Sequence, residues 1–212
     1  MPIFRCEPTM SAKSRLTALL PTLVVLLSSC ATMTPDECRQ ANWYDLGARD
    51  GMAGETLAKF TARRDACAEV KVVADANTYA RGRDIGLRSF CRLENAAPLG
   101  ARGGSYEGVC PAAIDYEFRR RFDIGYTLYR WHSEVDRIEE RMRSHERKLR
   151  DADHDEEKAI KAAERDEDRR RIHRDFDDKR HRLREELHDF DRDLHRARDN
   201  LRDAEGAMYS LR

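Results

Sequence analysis

Cysteine is the residue type in this chain whose chemistry is most open to reading from spacing. A thiol can close a disulfide, bind a metal as thiolate or take a covalent group. Cys38, Cys67, Cys91 and Cys110 form an even set within a short stretch, the pattern of two structural disulfides in an exported domain. The sequential pairing Cys38–Cys67 with Cys91–Cys110 is preferred, and Cys38–Cys91 is its main competitor. A zinc site is not expected, because no two of these cysteines are closely spaced and no histidine precedes His132.

Other reactive groups are not arranged for catalysis. Asp50, Asp65, Asp84 and Asp115 have no partner base within a recognisable motif, and Ser89 and Ser105 have no nearby histidine. Asp50, in Asp50-Gly51, is the polar residue best placed for a specific role. A helix cap, or an ion pair with Arg49 or Arg83, is its expected use. Gly103-Gly104 is too bare for a phosphate loop. No catalytic residue, cofactor or metal is assigned, and an enzyme is not expected.

The remaining thiols belong to the N-terminus. Arg5, Lys13 and Arg15 precede the uncharged run Leu16–Leu27, which is too short to span a bilayer core. Leu27-Ser28-Ser29-Cys30 then resembles a bacterial lipobox. It implies cleavage before Cys30, loss of residues 1–29 with Cys6, and acylation of the Cys30 thiol; Met10 is an alternative start to Met1. Ala31, where inner-membrane lipoproteins generally carry Asp, implies the periplasmic face of the outer membrane. Several acyl chains on one residue make such an anchor effectively permanent.

Composition bounds the rest. The 212 residues carry 40 Lys+Arg against 40 Asp+Glu, and a neutral chain lacks the basic surplus a nucleic-acid binder needs. More than half of the residues from His132 to Glu205 are charged, whereas Trp43–Tyr129 reads as a small folded unit. The expected organisation is a leader (1–29), a Gly/Cys-rich helical head (30–131) and a charged helical or coiled-coil tail (132–212). The fold class is all-α, because no segment alternates as a strand would.

Within the head an aromatic–glycine pattern recurs. Tyr44, Gly47 and Gly51 set it; Tyr79, Gly82 and Gly86 repeat it; Phe122 and Gly125, with Tyr129 in the last place, form a third copy. On a helix such spacing puts an aromatic beside a smooth strip. Glycine inside a helix costs about 1 kcal/mol relative to alanine, so repetition points to a packing need. Close helix–helix packing is the preferred use. A glycine-floored ligand face formed by Trp43, Gly47, Gly51, Tyr79, Gly82, Gly86 and Tyr106 is the alternative. Thr34-Pro35-Asp36-Glu37 predicts a capped first helix, Asp75 or Asn77 a cap for a helix through Ser89, and Ala112 the start of another. Ala96–Pro111 reads as a turn-rich loop. The head is thus expected to hold three or four short helices.

These residues also carry a family resemblance. Trp43-x3-Gly47-x2-Asp50-Gly51-x2-Gly54, Tyr79-x2-Gly82-x3-Gly86-Leu87 with Cys67 and Cys91, and Gly104-x-Tyr106-x-Gly108-Val109-Cys110-Pro111 are similar to bacterial lipoproteins known as domain of unknown function 2799. The resemblance runs from about Cys38 to about Tyr129. It implies the stapled helical head and brings no activity with it.

The tail has no Pro, and no Gly between Gly125 and Gly206. A thin seam runs through Val135, Ile138, Met142, Leu149, Ala152, Ala159 and Ala163, interrupted by His145 and Glu156. A better one runs Leu183, Leu187, Phe190, Leu194, Ala197, Leu201, Ala204, Met208, Leu211; the two differ in register. A continuous rod is preferred to a hairpin turning near Asp166–Arg171. All seven histidines lie in the tail; His181, His188 and His195 recur every seven residues and read as ordinary polar positions. The expected function is a lipid-anchored envelope protein with a structural or adaptor role. Its tail would meet a protein partner or associate with its own copies; the alternative is a small-ligand or peptide module on the glycine face.

Overall fold

A computed structural model describes residues 33–211, which form one unit; Cys30, Ala31 and the leader lie outside them. The described residues contain helices and no strand: α1 (Pro35–Arg39), α2 (Trp43–Met52), α3 (Leu57–Glu69), α4 (Ala76–Phe90), α5 (Leu93–Ala101), α6 (Ala112–Ala162) and α7 (Asp166–Tyr209). Side-chain caps mark the starts of α1, α2 and α4. Thr34 and Glu37 close the predicted capping box, with Pro35 in the first turn, and Asp75 caps α4 by accepting from the Thr78 N–H at 2.9 Å. The segment Ala96–Pro111 departs from expectation. Its first residues are the end of α5, with Pro98 inside the helix, and the loop proper begins after Ala101. The head therefore holds five short helices, and α6 passes through position 131 without a break.

Two disulfides staple it, Cys38–Cys67 and Cys91–Cys110, with Cα atoms 5.3 and 5.6 Å apart. Each sits in its own apolar cluster. The first gathers Met33, Trp43, Leu46 and Tyr79 around Cys67, and the second gathers Leu87, Ala96 and Phe118 around Cys91 and Cys110.

Helices α2 and α4 touch backbone to backbone through their glycines, and α5 and α6 do so in the same register. A Cβ on Gly86 would overlap the Ala48 carbonyl and approach the Met52 amide; one on Gly125 would meet Ala97 and Ala101 in the same way. Gly51 faces Arg83 and Leu87, and Gly100 faces Phe122 and Tyr126. Left-handed glycines end both first helices, Gly54 (φ 71°) under the Phe90 ring and Gly103 (φ 72°) under the Tyr129 ring. Even the closing turns agree: Glu55 N–H donates to Asp50 O at 2.9 Å, Gly104 N–H to Leu99 O at 3.1 Å. The α5/α6 pair is a second copy of the α2/α4 pair. In this register Gly125 answers to Gly86, one helical turn later than the aromatic–glycine pattern places it. Phe118, not Phe122, answers to Tyr79, and both are fully buried.

The tail is a hairpin, not the expected rod. After Ala162 the chain turns through 163–165, and α7 returns along α6. Arg169 makes this turn without Gly or Pro: its guanidinium donates to the Ala163 carbonyl through Nε (3.1 Å) and Nη2 (2.8 Å). Asp166, Glu167 and Asp168 then favour the N-terminus of α7 electrostatically. At 1.5 Å per residue the 44 residues of α7 extend about 66 Å. The two seams need no shared register because they face one another antiparallel. Ile138, Phe190, Leu194 and Ala197 are buried between them. The Leu183–Leu211 seam thus packs on α6 of the same chain through Leu187, Phe190, Leu194 and Ala197.

The polar interruptions of the seam cross-link the hairpin. His145 Nε2 pairs with Glu186 Oε2 at 2.6 Å, and its ring meets Phe190 edge-on at 4.9 Å. Glu156 pairs with His173 Nδ1 at 2.6 Å and accepts from Arg180. By contrast, His181, His188 and His195 pair only within α7. The hydrogen bond from Arg180, with His173 second, holds the Glu156 carboxyl below its ordinary range. A carboxyl whose folded value is depressed stabilises the fold above its unfolded pKa. That contribution fades as pH falls below about 4.3, through the folded value. Glu156→Gln is therefore expected to destabilise the hairpin at neutral pH by about 1–2 kcal/mol, with the difference from wild type vanishing in acid. Urea melts of both proteins across pH, read by helical circular dichroism, test this; a difference independent of pH would refute it.

Candidate functional site

The most developed polar site joins α2, α3 and α4. Asp50, on the third turn of α2, is one of two buried charged residues in the described chain (5 % exposed). Its Oδ2 accepts from the Tyr79 hydroxyl at 2.8 Å and its Oδ1 from Arg63 Nη2 at 2.8 Å. Tyr79 is wedged against Phe60 at 4.5 Å between centroids. Burial, followed by the bond to Asp50, pushes its phenol well above the ordinary tyrosine value, so it remains a donor. Arg83 donates to the Glu55 carbonyl at 2.8 Å. The Nε atoms of Arg63 and Arg83 are buried without a protein partner. Asp50 therefore pairs with Arg63, from a helix the sequence does not link to it, rather than with Arg49 or Arg83 as expected.

Arg63 also reaches a cleft of about 430 Å³ bordered by Met33, Gln40, Asn42, Asp45 and Arg49. The carboxylates at its rim are engaged. Glu37 accepts from the Thr34 amide at 2.7 Å and Asp45 from the Asn42 side chain at 2.7 Å. No nucleophile–base pair occurs in the cleft, and no cluster of three metal-ligating side chains occurs among the described residues. It is a polar recess whose Arg63 is paired with the buried Asp50.

The glycine face is closed. Gly47 and Gly51 are pressed against the α4 backbone, and Gly82 and Gly86 against that of α2; Trp43 and Tyr79 are buried. The alternative groove would need the strip left open, and the opposing helix fills it, as the preferred packing reading requires. Tyr106 belongs to the second cluster instead. Its hydroxyl donates to Asp115 and accepts from the Cys110 amide at 3.3 Å, pinning the loop to α6. Burial, with the Asp115 bond next, pushes it up to about 12. Sequence reasoning missed Arg63 and Phe60 because α3 carries no distinguishing motif.

The two helix pairs allow an internal comparison. Where the first copy buries Asp50 against Tyr79, the second has Leu99 packed on the apolar cluster that holds Phe118. Backbone geometry is kept while chemistry changes, so the helix pair does not require the polar trio in order to pack. Asp50→Leu alone is expected to cost about 2–3 kcal/mol by stranding Arg63 and the Tyr79 hydroxyl. Adding Tyr79→Phe and Arg63→Met should recover most of that loss in thermal melts. A triple variant no more stable than the single one would show that packing does depend on the trio.

Residues 42–127 match the family described as protein of unknown function (DUF2799). No curated protein and no solved structure matches the chain. The DUF2799 segment runs from the cap of α2 into α6, so it covers both helix pairs. The remainder of α6 and all of α7 lie beyond it. The family's description names no activity.

Proposed function

We propose that this chain is a lipid-anchored protein of the bacterial envelope with a structural or adaptor role. Cys30 carries the acyl chains, the DUF2799 head sits at the membrane, and the charged hairpin presents a surface to a protein partner. The observation that carries this reading is Leu27-Ser28-Ser29-Cys30, set behind a basic start and an apolar run. Among the described residues no helix is long and apolar enough to cross a membrane, so attachment would rest on the anchor. The hairpin supports the adaptor element of the reading. Its apolar residues are used internally, leaving a long surface of alternating charge suited to a polar partner.

Mass spectrometry of the N-terminal peptide from membranes should find a chain beginning at an acylated Cys30, and Cys30→Ser should shift the protein to the soluble fraction. An uncut N-terminus with an unmodified thiol would sink the proposal. Crosslinking in intact envelopes, from probes on the outer faces of α6 and α7, then identifies the partner.

A further inference from the structure

The turn that ends α3 has a backbone that its sequence does not favour. Lys71 has φ 61°, and it is the one non-glycine residue with a positive φ among those described. Val72 N–H donates to Cys67 O at 2.9 Å and Lys71 N–H to Ala68 O at 3.0 Å, the double closure for which glycine is the usual left-handed residue. The corresponding positions after α2 and α5 are Gly54 and Gly103. Lysine here bears the Cβ–carbonyl crowding that those glycines avoid. The turn is nonetheless firmly held, because Val70, Val72 and Ala74 pack on the first apolar cluster. Val73 between them is 89 % exposed, the most exposed of the large apolar side chains described. A rigid turn thus offers one aliphatic side chain and one cation to the outside. Lys71 forms no ion pair among the described residues, and the nearby Asp75 carboxylate is occupied by the Thr78 amide and hydroxyl.

The chain enters the head at the same place. Met33 is buried in the same cluster, with its Sδ 3.9 Å from the Cys67 Sγ, and Cys67 also accepts the Val72 amide. Three peptide links separate Met33 from Cys30, at most about 11 Å of chain. An anchor on Cys30 would leave this end of the head almost no slack above the bilayer.

We infer that the Lys71–Val73 turn is a membrane-surface contact: Val73 enters the interfacial layer and Lys71 meets anionic phospholipid phosphates of the leaflet that holds the anchor. This rests on the lipid-anchor reading and goes beyond it by fixing which face of the head touches lipid.

The test uses full-length acylated protein in vesicles of equal parts phosphatidylethanolamine and phosphatidylglycerol, compared with the same protein in neutral detergent. Hydrogen exchange at Lys71, Val73 and Ala74 should be several-fold slower on vesicles. Val73→Asp and Lys71→Gly should each restore the detergent rate without lowering the melting temperature, since Val73 is exposed and glycine suits the turn. Unchanged exchange on vesicles, with Cys30 acylated by mass, overturns the contact while leaving the anchor intact. Protection seen in native envelopes but not on pure vesicles also overturns it, in favour of a protein partner. An unmodified Cys30 defeats the anchor and the contact together.

Discussion

Gly125→Ala is expected to lower the unfolding free energy by about 2–3 kcal/mol, whereas Gly206→Ala should raise it by up to about 1 kcal/mol. Both glycines lie inside long helices, so their intrinsic preferences are alike. Their surroundings are opposite. A methyl group on Gly125 would overlap the Ala97 carbonyl oxygen and press on the Ala101 amide, both backbone atoms that cannot swing aside. A methyl group on Gly206 meets nothing within 4 Å. Overpacking at the first site should outweigh the gain in helix propensity that acts alone at the second. Gly82→Ala, facing the Tyr44 carbonyl, should behave like Gly125→Ala. Urea denaturation of the three variants measures the signs. Equal effects at Gly125 and Gly206 would mean that the helix pairs relax apart at little cost.

The second large effect concerns the staples. Cys38–Cys67 closes a separation of 29 residues and Cys91–Cys110 one of 19. Loop-closure entropy assigns each about 3–4 kcal/mol. Together these amount to much of the stability of an ordinary small domain, about 5–15 kcal/mol. Replacing all four cysteines with serine is therefore expected to unfold the head at physiological temperature. The hairpin has its own cluster around Ile138, Phe190 and Leu194, and should keep its protection. Amide exchange by mass spectrometry separates the two regions. A serine variant with native protection over residues 38–110 would refute the expectation.

Sequence alone determined the features that depend on neighbours along the chain. The capping box at Thr34–Glu37 and the cap at Asp75 follow from backbone donors that nearby side chains satisfy, the start of α6 from Pro111 before Ala112, and the all-α class from the absence of strand-like alternation. The disulfide pairing was only a preference in the sequence, with Cys38–Cys91 as competitor, and the packed helices decided it. The aromatic–glycine spacing correctly announced close packing, because a glycine strip has few other uses on a helix.

The partner of each strip was a tertiary matter. Glycine leaves no side chain to mark what approaches it, so the α5/α6 copy, in which Gly125 answers to Gly86 rather than to Gly82, emerges only from the backbone contacts. Asp50 chose Arg63 over Arg49 and Arg83 because packing brought α3 beside α2; charge along the sequence ranks all three alike. The hairpin turn was hidden for a similar reason. It relies on Arg169 reaching back to the Ala163 carbonyl, a side-chain cap with no breaker residue to announce it. Local hydrogen bonding is written in the order of residues, whereas close approach between distant backbones and the pairing of buried charges are set only when the helices pack.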